Sequence, residues 1–304
     1  MDISELGKVK KIIFSARQDH EIIKKVIDKF EKIQNIKVIT HDPKKEFFNL
    51  SNMPNSFKEA ALIIVKVRND CSIDLLHYAK INSIPTLHDV DTVLMCKNKI
   101  ALDYALRKIF TQNPYINRYF SLPQSWNQNV SNISKFKKWA SPKLPIVIKS
   151  HYQHDKYNRF NFLAKEVNEI DKFCARYKSF TYYDVYIQEF IECDGIERKI
   201  YVVGDKIFGI KRENPIYIYL RENPENIDVE KIERQEFKIT ESIKKLANIL
   251  ANGLNLKLFG FDLIKPLNKR KYYLIDLNDF PGFKGIPNIE DIIVNYLNDY
   301  ISSI

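Results

Sequence analysis

Glycine is almost missing from the first two thirds of this chain. Of eight glycines in 304 residues, seven lie at or after Gly195, and only Gly7 precedes them. A GxGxxG turn or a GxxxxGK(S/T) loop needs glycine where backbone must approach phosphate, so neither can occur in the first 194 residues. Gly204 and Gly209 have the outer spacing of a phosphate loop, but Ile210-Lys211 follows where Lys-Ser/Thr is required. The flanking runs Lys199-Ile-Tyr-Val-Val and Lys206-Ile-Phe-Gly-Ile instead predict two strands turning at Gly204-Asp205, which is a hairpin.

The chain has ample material for a core, with 45% apolar and 12% aromatic residues, and its length suits two ordinary domains or one with an insertion. Its longest apolar run, Ala60 to Val65, is far short of the roughly 20 residues of a membrane-spanning helix. The opening Met1-Asp2-Ile3-Ser4-Glu5 lacks a basic region followed by an apolar one, so no export signal is expected. Cys71, Cys96, Cys174 and Cys193 form no CxxC pair, which argues against a zinc site or a disulfide framework and for a reduced, cytoplasmic protein. The net charge of +10 is uneven. Residues 1–150 carry 25 Lys+Arg against 14 Asp+Glu, whereas residues 151–304 carry 23 against 24. A solvated lysine-rich surface, a nucleic acid and a small polyanionic substrate all fit that asymmetry, but no finger, helix-turn-helix or RRM signature supports nucleic acid.

Apolar strands alternate with helical stretches through the first hundred residues. Strands are predicted at Val9–Phe14, Ile36–Thr40, Ala61–Lys66 and Pro85–Leu87. Helices are predicted at Asp19–Gln34 with Asp19 as cap, Ser72–Asn82 and Val90–Ile109. This pattern predicts a parallel α/β layer. Residues 111–145, rich in Asn, Gln, Ser and Pro, mark a boundary. Beyond it come strands at Ile146–Lys149 and Val185–Ile191, a helix at Glu166–Tyr177, and the hairpin. Glu213 to Glu236 reads as a mobile loop or insertion. Helix Thr240–Asn252, strands Leu258–Ile264 and Tyr272–Asp276, and a helix from Ile289 close the chain.

Three constellations carry chemistry. In Leu258-Phe-Gly-Phe-Asp262-Leu-Ile and Tyr272-Tyr-Leu-Ile-Asp276-Leu-Asn278-Asp279-Phe-Pro-Gly282, apolar strands are interrupted by carboxylates. Asp276 and Asn278, two apart, share a face. A turn centred near Lys269 puts Asp262 opposite Asp276 with Cβ atoms about 5 Å apart. Two carboxylates that close repel, so unless one is protonated the site asks for a divalent cation, and two carboxylates with an amide suit magnesium. The second constellation, Val147-Ile-Lys149-Ser-His151-Tyr-Gln-His154-Asp-Lys-Tyr-Asn-Arg159, places Lys149 at the end of an apolar strand, where it can hold a phosphate as a point charge. His151 and His154 have no Cys or third His near them in sequence to complete a metal site. The third, Val185-Tyr-Ile-Gln188-Glu189-Phe190-Ile191, reads as an edge strand able to cover an adenine ring.

Together these segments resemble the ATP-grasp superfamily, and more closely its inositol 1,3,4-trisphosphate 5/6-kinase family. Leu-Ile-Asp276-Leu-Asn278-Asp-Phe-Pro-Gly282-Phe is similar to that family's V-I-D-I-N-x-F-P-G-Y metal motif, and Phe259-Gly-Phe-Asp262 to its first metal aspartate. Lys149 followed by His154 matches the strand lysine and its histidine, with Asp155 where glycine is usual. Gln188-Glu189-Phe190-Ile191 resembles the Q-x-F-I hinge, Lys199-Ile-Tyr-Val-Val-Gly204 the K-V-F-V-V-G strand, and Ile63-Ile-Val-Lys66 the I-I-H-K-L segment. Arg159 stands where the family often has a second histidine.

The resemblance implies an α/β ATP-grasp fold with an N-terminal parallel α/β domain (1–110) before two ATP-grasp subdomains, a central one with its linker (111–192) and a C-terminal one with the metal site (193–304). It implies a monomeric phosphotransferase using ATP and Mg2+ on an inositol polyphosphate. The metal would lie on Asp262, Asp276 and Asn278. Lys99 is preferred over Lys97, with Lys149, for the ATP phosphates, and Gln188 to Ile191 for the nucleotide. His154, Lys199 and Asp276 would act at the transferred group. Arg17 (or Gln18), Lys66, His154, Arg159, Lys199, Arg212, Asn278 and Gly282 would hold the substrate. A carboxylate-amine ligase shares the fold and metal residues but needs room for an amine, and the four cations Lys66, Arg159, Lys199 and Arg212 favour the polyphosphate. A non-enzymatic polyanion-binding module is the third class, and predicts no ATP binding.

Overall fold

The computed structural model describes residues 9–67, 69–151, 160–180, 183–222 and 227–304. Lys10–Ser15 lies between Ile36–His41 and Leu62–Val65 in a three-stranded parallel sheet. The expected short strand at 85–87 is a single parallel bridge from Ile63 to Thr86. The helix after the first strand runs Glu21–Phe30, shorter than expected, and its cap is His20 rather than Asp19. His20 has extended backbone, and its Nδ1 accepts from the Ile23 amide, while Asp19 pairs with Arg17 at 2.5 Å.

The predicted helix Val90–Ile109 is two helices, Val90–Lys97 and Lys99–Gln112. Asn98 breaks it, with backbone at φ −98 and ψ 107, and its side chain accepts from the amides of Ile100 and Ala101 at 3.0 Å. An asparagine that offers the backbone an alternative partner stops one helix and starts the next. That break turns Lys97 and Lys99 toward the C-terminal sheet.

A four-stranded antiparallel sheet follows, in the order Ser125–Asn129, Asp184–Glu189, Ile146–Ser150, Asn161–Ala164. Helices Ile133–Ala140 and Val167–Arg176 bury Phe136 and Phe173 against it. Asp184–Glu189 is therefore an interior strand, not the edge expected. Its added neighbour, Ser125–Asn129, is polar and carries no β signal.

The largest sheet has six strands in the order Gln235–Glu236, Lys206–Glu213, Cys193–Val203, Leu258–Pro266, Tyr272–Asp279, Phe120–Ser121, antiparallel except for the last pair. Helices Lys99–Gln112 and Glu241–Leu254 cover one face. On the other, Ile289–Ser303 joins Glu21–Phe30 in a core that runs from Ile12 and Phe14 to Leu258, Phe280 and Phe283. Burying each such side chain contributes about 1.5–3 kcal/mol, so the N-terminal layer is firmly tied to this sheet. Gly204 turns the hairpin at φ +60, and a Cβ there would lie 2.4 Å from the Tyr296 ring. Part of the expected loop between 213 and 236 is ordered as helix Pro215–Glu222. Asn214 accepts from the Ile216 amide at 2.9 Å and Pro215 opens the helix, a start signal that its polar surroundings obscured.

Candidate active site

A row of charges crosses the C-terminal sheet. Asp262 pairs directly with Asp276 on one side and with Lys199 on the other, and Glu197, two residues before Lys199, lies opposite Arg212. Residues two apart share a face, so these side chains converge on one surface of the sheet. Lys199 Nζ donates to Asp262 Oδ2 at 2.6 Å and lies 3.3 Å from Glu197 Oε2, which also accepts from Arg212 Nε at 2.7 Å. Asp276 Oδ1 accepts from Lys99, and its Oδ2 accepts from Asn278 Nδ2 at 3.0 Å. The repulsion expected between the two carboxylates is thus balanced by a lysine on each.

Burial pushes Asp262 up to about 6, with Lys199 pulling the other way and Glu197 and Asp276 reinforcing the rise. For Asp276 burial also opposes the charge, but Lys99 and Lys149 outweigh it and hold the group down to about 2. Neighbouring acids pushed apart in this way are a mark of a working site.

Lys149 comes from the neighbouring sheet. Its Nζ donates to Gln188 Oε1 at 2.8 Å and to the Ile275 carbonyl at 3.2 Å. That carbonyl is free because the ladder slips here: Asp262 faces Asp276 and Leu263 faces Leu274, leaving Ile275 in a bulge. Burial lowers Lys149 to about 8, against the pull of Asp276. Gln188 also donates to Tyr186 Oη at 3.2 Å, and Tyr186 donates to Asp103 at 3.0 Å. The Gln188 side chain therefore orients Lys149 instead of reaching outward for a base. Of the rest of that segment, Glu189 accepts from the Gln124 amide, the Phe190 ring lies 6.3 Å from that of Tyr217, and Ile191 packs with Cys193, Ile264 and Tyr273.

The other expected substrate residues fall at a second locus. Lys66, expected at the substrate, donates to the carbonyls of Phe280 and, at 2.9 Å, Pro281. Arg17 and His20 line a cleft of about 670 Å³ with Lys25, Arg234 and Lys284. A Cβ on Gly282 would meet only ordinary contacts, the nearest 3.8 Å from Lys284 and 3.9 Å from His20, so the fold itself does not demand glycine there. His154 and Arg159 lie outside the described residues. Sequence reasoning missed Glu197, His20 and the Lys97 to Asp279 ion pair. Only Glu197 had a signal, its place two residues before Lys199 on a strand.

Among the described residues no three His, Cys, Asp or Glu groups converge as a ready-made metal site. Two facing carboxylates, one of them raised by burial, and the Asn278 amide nonetheless form an all-oxygen donor set that fits a hard divalent cation completed by ligand phosphates. Among the described residues, no helix is long and apolar enough to cross a membrane.

Residues 218–299 match the family model described as the inositol 1,3,4-trisphosphate 5/6-kinase ATP-grasp domain. An inositol-tetrakisphosphate 1-kinase 1 of Oryza sativa is 32% identical over 129 residues, 36% of each chain. An inositol-tetrakisphosphate 1-kinase 1 of Arabidopsis thaliana is 24% identical over 47% of this chain and 55% of its own. The chain thus spans between about a third and just over half of the length of the curated relatives it matches. Among solved structures, a RimK-domain ATP-grasp protein of Sphaerobacter thermophilus has a TM-score of 0.70 at 11% identity, covering 96% of this chain and 99% of its own. D-alanyl-alanine synthetase A of Vibrio cholerae has a TM-score of 0.67 at 14% identity, covering 98% and 100%. These structural likenesses establish the fold and nothing finer.

Proposed function

We propose that this protein is an ATP- and magnesium-dependent inositol polyphosphate kinase, a reading supported by its ATP-grasp fold and by the match of residues 218–299 to the inositol 1,3,4-trisphosphate 5/6-kinase ATP-grasp domain model. The observation that carries the reading is the Asp262 and Asp276 pair, side by side in that segment and each countered by a lysine.

Asp262, Asp276 and Asn278 would hold magnesium, which would supply charge neutralisation for the nucleotide phosphates. The remaining work belongs to the chain's own cations. Lys149, buried and lowered to about 8 by desolvation, would be stabilised in its charged form by an anionic phosphate. Lys99, which donates to Asp276, would meet the same phosphates. Lys199 ties Asp262 to Glu197, and through it to Arg212, which fixes the first carboxylate and supplies positive charge beside it. Arg17 and Lys284, which line one cleft, would take the acceptor's phosphates, with the neutral His20 ring beside Gly282 as a hydrogen-bonding group. Glu21, Glu230 and Glu290 in the same cleft restrict where those phosphates can sit.

The test is phosphate transfer from γ-labelled ATP with magnesium to inositol tris- through hexakisphosphates, with Asp276→Asn as control. Label on the inositol that disappears in the variant supports the kinase. If no inositol is labelled and amino acids or peptides trigger ADP release, a carboxylate-amine ligase replaces it.

A further inference from the structure

Asp279 sits behind the candidate site. Side chains alternate along Tyr272–Asp279, so Asp276 and Asn278 share one face of the strand while Asp279 takes the other. Asp279 is only 3% exposed, and a carboxylate that deep costs stability unless it is partnered. Lys97 binds its Oδ1, but Oδ2 is buried with no hydrogen-bond partner among the described residues. The turn that follows is strained, with Phe280 at φ 40 and Phe283 at φ 50. Non-glycine residues hold such backbone only when their surroundings over-determine it.

Those surroundings come from the N-terminal half. Lys66 donates to the carbonyls of Phe280 and Pro281. His88 accepts on Nε2 from the amides of Lys257 at 3.0 Å and Leu258 at 3.1 Å, which makes Nδ1 the protonated nitrogen. That Nδ1 is also buried without a partner among the described residues, and His88 feels the Asp279 charge. The Phe280 amide donates to the Leu258 carbonyl at 2.8 Å. Lys66, His88 and Lys97 therefore hold both strands of the carboxylate hairpin at the same end.

We propose that Asp279 is a positioning residue, held by Lys97 and braced by Lys66 and His88, that fixes the strand end and turn so that Asn278 on the opposite face meets the same cation as Asp276. This rests on the metal role of Asp276 and Asn278 proposed above, and is independent of the acceptor.

The test is calorimetric binding of a non-hydrolysable ATP analogue to the full chain across magnesium concentrations, for wild type, Asp279→Asn, Lys97→Met and the double variant. Losing the support of a metal-holding group typically costs 10- to 100-fold, so half-saturating magnesium should rise about 10-fold or more in Asp279→Asn, with magnesium-free nucleotide binding unchanged. The double variant should be no worse than the poorer single one, as expected of two partners in one interaction. Lys66→Met, which removes the grip on the Phe280 and Pro281 carbonyls, provides a second route should the buried variants fail to fold, and should raise the magnesium requirement in the same way. A variant that melts lower but keeps the wild-type magnesium requirement overturns the proposal by making Asp279 purely structural, as does additive loss in the double variant. If magnesium-dependent nucleotide binding behaves as described while no inositol phosphate accepts phosphate, the kinase reading fails and this inference stands.

Discussion

In the N-terminal parallel sheet, Leu62–Val65 is four apolar residues, all buried, beside Ile12, Ile13 and Phe14, which are equally enclosed. In the C-terminal antiparallel sheet, Leu258–Pro266 is as deeply buried yet carries Asp262 in its middle, with Lys199 on one neighbouring strand and Asp276 on the other. The parallel sheet keeps Lys66 just beyond a strand end. The antiparallel sheet accepts charges in mid-strand and holds them only by pairing them across strands, a costly arrangement that replacement by apolar residues often improves. One sheet is built for stability and the other gives up stability for a charged surface.

The contrast makes predictions that differ by region. Phe14→Ala should destabilise the protein by about 3–5 kcal/mol in denaturant titrations, while turnover per folded molecule stays near wild type. Asp276→Asn should do the reverse, lowering phosphate transfer on the order of 100-fold or more with the far-ultraviolet spectrum unchanged. Equal loss of turnover in both variants would erase the distinction.

Acid gives a sharper test of where the two regions meet. Burial holds both His20 and His88 down to about 4 from 6.5. A group with a depressed folded value stabilises the fold above its unfolded value and loses that contribution as pH falls. Stability should therefore decline between pH 6.5 and about 4, and His88→Gln should flatten the decline in thermal melts. The smallest effect is expected at Asn98→Ala. Losing the helix cap should cost about 1 kcal/mol, and because Lys97 and Lys99 flank that break, nucleotide affinity should fall as well.

The carboxylate hairpin was legible because a lone acid inside an apolar run stands out, and because the turn length sets which residues face each other. Lys149 was legible as a cation at the end of a buried strand. The helix break at Asn98 was not, since the apolar period runs on through it and only the asparagine's side chain stops the backbone. Lys97 and Asp279 are 182 residues apart, and His88 lies 170 from Leu258; contacts at that separation leave no local pattern. The contact of Lys66 with the Phe280 and Pro281 carbonyls was not legible, because a strand-end position shows where a cation begins and not which carbonyl lies across the domain contact. Ser125–Asn129 carries no β signal of its own and becomes a strand by pairing with Asp184–Glu189.

If the paired carboxylates direct a phosphoryl group from ATP onto an inositol phosphate, a phosphorus NMR time course with ATP, magnesium and an inositol polyphosphate will show it. The γ-phosphate signal should be replaced, one for one, by ADP and a new phosphate signal on the inositol product, with no free phosphate. ADP accompanied by an equal amount of inorganic phosphate, or no consumption of ATP, would contradict it.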